Sequence, residues 1–261
     1  MKKKWIVVSV LAALMLAGCS SKAPTSTGSA TPPAKELPKD DLAVQDIVTA
    51  FFDNNYAYTE TTEEYLEDDP GAPSPTVVEG KLIVSPYLEY RKANDSEVYF
   101  TGEGNTVAKI TGKDGAWARS DVKRTYAYGY GKKDLTFTQT AKQDTSNSSV
   151  ILYTTEYTQE IVAPNNPNLK LSAVISQTYY INEDTKQVVR IVTDLTDYTR
   201  KNHMLATMME NGISEEEAAK DVDPICVKQT LEITAYGDDV VIDAPFEESD
   251  ATISKGNANN T

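Results

Sequence analysis

Residues 41–55 read DLAVQDIVTAFFDNN, with apolar side chains at Val44, Ile47, Val48, Phe51 and Phe52. Steps of three and four put these on one face, which predicts an amphipathic helix with a bulky side to bury. Asp40 or Asp41 is placed to cap its start. Beyond it the period changes to two. Ile151, Tyr153, Thr155, Tyr157 and Ile161 alternate with a more polar set, as do Leu171, Ala173, Ile175, Tyr179 and Ile181. Val189, Ile191 and Leu195 repeat the pattern, and so do Val227, Leu231 and Ile233. Such alternation predicts antiparallel strands with one buried face. Turn signals at 112–115 (GKDG), 163–168 (APNNPN) and 182–186 separate them, for roughly eight to ten strands in all. Two stretches interrupt the series. Residues 199–221 have helical character, with a break at Asn211-Gly212 and a capping-box pattern at Ser214 and Glu217. Residues 58–75 are acidic, turn Pro-rich, and read as an excursion from the sheet.

The chain is therefore expected to be mainly β (α+β), a single domain over residues 41–248 with a helical insert at 199–221. So few helices cannot cover a wide flat sheet, so the sheet has to curl around the first helix or close on itself. A curled sheet lined by Ile, Val, Leu and Tyr leaves either an apolar cavity or a fully packed core, and periodicity does not choose between them.

The first forty residues carry a different message. Lys2, Lys3 and Lys4 precede an apolar run from Trp5 to Ala17. The run is too short to span a bilayer and fits a secretory signal over residues 1–18. It ends in Leu16-Ala17-Gly18-Cys19, which looks like the lipobox of bacterial lipoproteins; in that family the cysteine thiol takes a diacylglyceryl group and becomes the first mature residue. Cys19 is thus the expected lipid attachment. Residues 19–40, rich in Ser, Thr, Pro, Ala and Gly, read as a disordered tether spanning about 25 Å as a coil; residues 249–261 read as a disordered tail. The three lysines leave with the signal, so 22 of 25 basic residues face 39 acidic ones, a net charge of −17. Nucleic acid and anionic headgroups repel such a chain, so the lipid must hold it at the extracytoplasmic face of the cell membrane. With Cys19 consumed, Cys226 has no partner and the fold must stand on its core.

Catalytic signals are poor. The single histidine, His203, has no motif partners, and no HExxH, GxSxG or CxxC is present. The carboxylates of 63–69 lack the spacing of a calcium loop. No enzyme activity, metal or cofactor is expected. Tyr126, Tyr128 and Tyr130 alternate with small residues and predict an aromatic ladder suited to strand packing or to a half-wet interface.

Three segments, EVYFTGEGNTVAKITGKDGAWARSD (97–121), YYINEDTKQVVRIVTDLTDY (179–198) and LEITAYGDDVVIDAP (231–245), follow an amphipathic helix and a lipobox. In that order they resemble the LolA/LppX-like superfamily of lipoprotein and lipid carriers over residues 41–246. The resemblance implies an open half-barrel with helices against its concave face, and a cavity for acyl chains or a lipidated peptide. The helical insert and the acidic stretch depart from it. The expected function is binding of a hydrophobic or lipidated ligand by Ile151, Tyr153, Ile175, Val189, Ile191, Leu231 and Ile233, closed by Val48 and Phe52, with Trp117 at the rim. The rival expectation is an envelope lipoprotein with a filled core that docks a protein partner.

Overall fold

A computed structural model describes residues 41–68, 71, 75–113, 116–144, 149–164, 166–245 and 252–253. The signal, Cys19, the tether and most of the tail lie outside them. The expected helix is present as α1 (Asp41–Phe52). Eleven antiparallel strands follow: β1 (Tyr56–Leu66), β2 (Thr76–Ile83), β3 (Leu88–Ala93), β4 (Ser96–Thr101), β5 (Thr106–Lys113), β6 (Ala116–Lys123), β7 (Thr138–Asp144), β8 (Ser149–Ala163), β9 (Asn166–Asn182), β10 (Val188–Asp194) and β11 (Ile225–Tyr236). Helices α2 (Thr196–Asn211) and α3 (Glu215–Asp221) stand between β10 and β11, and a two-residue strand β12 (Thr252–Ile253) adds in parallel to β6. All strands form one sheet, in the order β12-β6-β5-β4-β3-β2-β1-β11-β10-β9-β8-β7.

That order makes the sheet curl. Strands β6 and β7 are consecutive in sequence but ten strand spacings apart, about 48 Å in a flat sheet. Residues 124–137 are the only chain between them, and would have to be almost fully extended to cover that distance, at about 3.3–3.6 Å per residue. They are not extended. Tyr130 and Lys132 donate backbone hydrogen bonds to Ala127 and Gly129 in a tight turn. The sheet is therefore an open, curved half-barrel, and residues 124–137 cross its inner face from edge to edge.

Helix α1 lies on that inner face. Val44, Val48, Phe51 and Phe52 pack on Tyr56, Tyr58, Tyr179, Ile181, Val188 and Ile191, with Phe137 from the crossing segment. The long strands β8 and β9 run on past α1 to carry α2, where Leu205, Met204 and Met208 meet Ile161, Ala163, Leu171 and Ala173. The expected break after Asn211 is a left-handed Gly212 that closes α2. The expected capping box starts α3: Ser214 Oγ accepts from the Glu217 N–H, and Glu217 Oε2 accepts from the Ser214 N–H at 3.0 Å. Ser214→Ala removes the first of these and is expected to cost about 1 kcal/mol, read by denaturant unfolding.

Several local readings of the sequence are corrected. Residues 58–66 are not an excursion: β1 is a central strand between β2 and β11, and its polar residues are used, Glu63 facing Lys228 and Glu60 turning inward. A bulge between Val188 and Arg190 reverses the side-chain parity of β10, so Val188 rather than Val189 joins Ile191 in the core. Trp117 is not at the rim of the inner face. It packs on Tyr99, Ile110 and Tyr90 of the outer face, under Ile242, where Lys81 also binds the Val241 carbonyl. Cys226 shares the face of Lys228 yet is fully buried, and it is disulfide-bonded where an unpaired thiol was expected; the chain's other cysteine, Cys19, lies outside the described residues.

Two glycines let aromatic rings lie flat on the sheet. Gly80 pairs with Tyr58 and Gly112 with Trp117. A Cβ at Gly80 would sit 2.1 Å from Tyr58 Cζ, and one at Gly112 2.2 Å from Trp117 Cζ3. The ring takes the place of the missing side chain and covers the exposed backbone.

Candidate binding site

A cavity of about 80 Å³ opens where the crossing segment passes over β1, β2, β3 and β11. Phe52, Tyr56, Leu82 and Leu231 form its apolar wall. The rest of the lining is polar: Glu60, beside Leu231 across the strands, with Glu89, Arg91, Arg124 and Gln229. Tyr126, Tyr128 and Tyr130 come from the crossing segment.

The strand pattern places these charges. In β3, Glu89 and Arg91 share the inner face and lie 2.6 Å apart. The Tyr58 ring passes over Gly80 of β2 to donate its hydroxyl to Glu89 at 3.3 Å, and Tyr87 donates to the other oxygen at 2.7 Å. Burial opposes the charge of Arg91, but Tyr58, Glu89 and Glu60 outweigh it and hold the guanidinium protonated. Glu60 is 6 % exposed; burial pushes its carboxyl upward, against the pull of Arg91. Burial also raises the Tyr58 and Tyr87 hydroxyls, which keeps them as donors.

A second polar layer fixes the crossing segment. Thr155, Gln177, Thr193 and Gln229 are buried on β8 to β11. Gln177 Nε2 donates to Thr193 Oγ1 at 3.1 Å and to the Tyr128 carbonyl at 3.3 Å, while Tyr179 donates to Gln177 Oε1 at 3.0 Å. Gly129 passes close over this layer at φ +85°, where a Cβ would meet Gln177 Oε1 and Tyr179 Oη at 2.8 Å. The expected ladder of three tyrosines is not formed. Tyr126 and Tyr130 stack on each other at 4.5 Å and are the exposed pair. Tyr128 turns inward against Tyr198. The chain is not a strand here, because Gly129 and Gly131 both take positive φ.

Of the residues expected to bind ligand, Val48, Phe52, Tyr153, Ile191, Leu231 and Ile233 gather in one cluster around α1. Ile175 lies in the next cluster, with Leu195, Ile225 and Val227. Ile151 is half-buried opposite Ile181. Only Phe52 and Leu231 of these line the cavity; Val48 of α1 packs in the core with Ile191, Tyr153 and Ile233. The polar wall was missed. Its one sequence signal was the spacing Tyr87, Glu89, Arg91, which keeps three polar-tipped residues on one strand face.

Among the described residues no group of three or more His, Cys, Asp or Glu side chains is placed to hold a metal ion. No described helix is long and apolar enough to cross a membrane. Outside the cavity, Asp194 ends β10 and accepts the Thr196 N–H at 3.3 Å at the start of α2. Burial raises its carboxyl from 3.8 to about 6, partly offset by that N–H, and Glu156 and Asp197 add to the rise. The folded chain thus holds this proton more tightly than the unfolded one. The contribution is present below about pH 3.8 and is lost as pH rises through about 6. Asp194→Asn is expected to gain Tm relative to the parent as pH goes from 4 to 7; a difference that stays flat across melts in that range refutes it.

No protein-family model matches the sequence, and no curated protein matches it. Similar solved structures do exist. The lipoprotein LppX of Mycobacterium tuberculosis aligns at 13% identity and a TM-score of 0.41, over 78% of this chain and 100% of that one. LprF of Mycobacterium bovis aligns at 11% and 0.44, over 81% and 99%. A DUF1329 family protein of Desulfovibrio piger aligns at 8% and 0.33, over 81% and 99%.

Proposed function

We propose that the chain is a lipid-anchored extracytoplasmic lipoprotein that binds an amphiphilic ligand, a lipid or a lipidated molecule, on the inner face of its half-barrel. The observation that carries this is the cavity beneath the crossing segment, where an apolar wall of Phe52, Leu82 and Leu231 meets a charged one. A ligand with both characters matches such a site, since apolar lining with a few placed polar groups is the general form of small-molecule sites. At about 80 Å³ the cavity takes a head group, a few waters in size, and no long chain. Seating a chain requires residues 124–137 to lift from the sheet.

Native mass spectrometry of residues 23–261, purified from the protein's own host and then delipidated, tests the reading. A displaceable mass that extracts into organic solvent is expected. A protein that is always empty and takes up no apolar probe defeats it.

Anchoring at Cys19 has its own test. Cys19→Ala is expected to move the protein from the membrane to the soluble fraction or leave an uncleaved precursor. The intact mass of the parent, with and without reductant, separates a lipidated chain from a disulfide-linked one. Unchanged fractionation of the variant sinks the anchor.

A further inference from the structure

Arg124 is the first residue beyond β6, pinned there by its own backbone N–H on the Asn105 carbonyl. Its guanidinium lies 3.6 Å from the Tyr87 ring centroid and 4.7 Å from that of Tyr126. The two rings cover the cation but supply no acceptor in its plane, where its N–H groups point. Nε is buried and has no hydrogen-bond partner. Among the described residues no carboxylate pairs with the side chain either, although Arg124 lines the same cavity as Glu60 and Glu89. Those two are already accommodated. Glu89 is neutralised by Arg91 and takes two tyrosine hydroxyls. Burial moves Glu60 toward its neutral form. Arg124 is then the uncompensated charge of the cavity. A buried N–H stripped of water and given no acceptor calls for an explanation, and the planar edge of a guanidinium is the group suited to bidentate pairing with a carboxylate or phosphate.

We infer that Arg124, clamped between Tyr87 and Tyr126, receives the oxyanion of an acidic head group in this cavity. This rests on the amphiphile reading above and narrows it to acidic amphiphiles. The oxyanion has two conceivable sources, the head group of a lipid or a free anion such as inorganic phosphate, and the test separates them.

The test compares dodecanoate with dodecanol, and separately inorganic phosphate, by calorimetry on residues 23–261. The parent is compared with Arg124→Gln and Arg124→Lys, each first shown to melt at the parent's temperature. Dodecanoate is expected to bind at least about 10-fold more tightly than dodecanol. Arg124→Gln should erase the difference without weakening dodecanol, and Arg124→Lys should keep part of it. Equal affinities in the parent, unchanged in Arg124→Gln, overturn the role of Arg124 and leave amphiphile binding standing. Phosphate binding lost in Arg124→Gln, with no uptake of either amphiphile, keeps the oxyanion site and overturns the amphiphile reading. No binding of any probe overturns both and leaves ordered water as the partner of Nε.

Discussion

Gly80→Val is expected to lower the melting temperature of the domain by roughly 2–12 °C or more, or to prevent its accumulation as folded protein. The new Cβ falls 2.1 Å from the Tyr58 ring, so the ring has to leave the sheet. Overpacking of this kind costs about 1–3 kcal/mol or more, and in a domain of this size each kcal/mol is about 2–4 °C. A second loss follows. Tyr58 reaches Glu89 on β3 only by lying across β2 at this glycine, so the buried carboxylate loses a donor. Gly104→Val gives the scale for an uncrowded turn, since nothing lies within 4 Å of its Cβ although its φ of +79° adds strain. Thermal melts of the two variants beside the parent decide the matter: a Gly80→Val melt unchanged from the parent would show that the contact between Tyr58 and Gly80 contributes nothing.

Arg91→Met should cost about 3–5 kcal/mol, because it leaves Glu89 and Glu60 facing each other in a buried site with the nearest cation removed. Adding Glu89→Leu should restore much of the loss, since a buried ion pair is often replaceable by apolar side chains as a unit although neither half is dispensable alone. Urea unfolding of the two single variants and the double variant forms a double-mutant cycle. Additive losses would mean that Arg91 and Glu89 act independently, against the 2.6 Å contact between them.

The period-two strands from residue 150 onward and the helix at 41–52 were readable because each has one wet face and one dry face. There the alternation of Ile, Val, Leu and Tyr with polar residues reports burial directly. The same rule failed where both faces are covered. Strands β3 to β6 carry Tyr99, Ile110 and Trp117 under the C-terminal segment on one side and Glu89 and Arg91 in the cavity on the other. Trp117 therefore gave no hint of its face, and the inward-facing charges gave no sign of a site. Val189 was misplaced by a single extra residue, which periodicity does not reveal. Strand β1 was hidden by its composition: three threonines and three glutamates among eleven residues look like loop until Glu60 is seen to face a half-buried arginine. The crossing segment left only its paired glycines as a trace, Gly129 and Gly131, which mark a departure from strand geometry.

Residues 124–137 also act on the shape of the whole molecule. They tie one rim of the sheet to the other as a string ties the two tips of a bow, and the length of string left over after the turn at 127–132 sets how far the limbs are drawn together. Shortening this string would draw the half-barrel tighter over α1, and inserting a few glycines would let it relax toward a plane. A ligand that lifts the string from the sheet would take up its slack, so occupancy of the cavity and curvature of the barrel become one mechanical variable. Small-angle scattering or the distance between labels on β6 and β7 would follow that variable without touching the site itself.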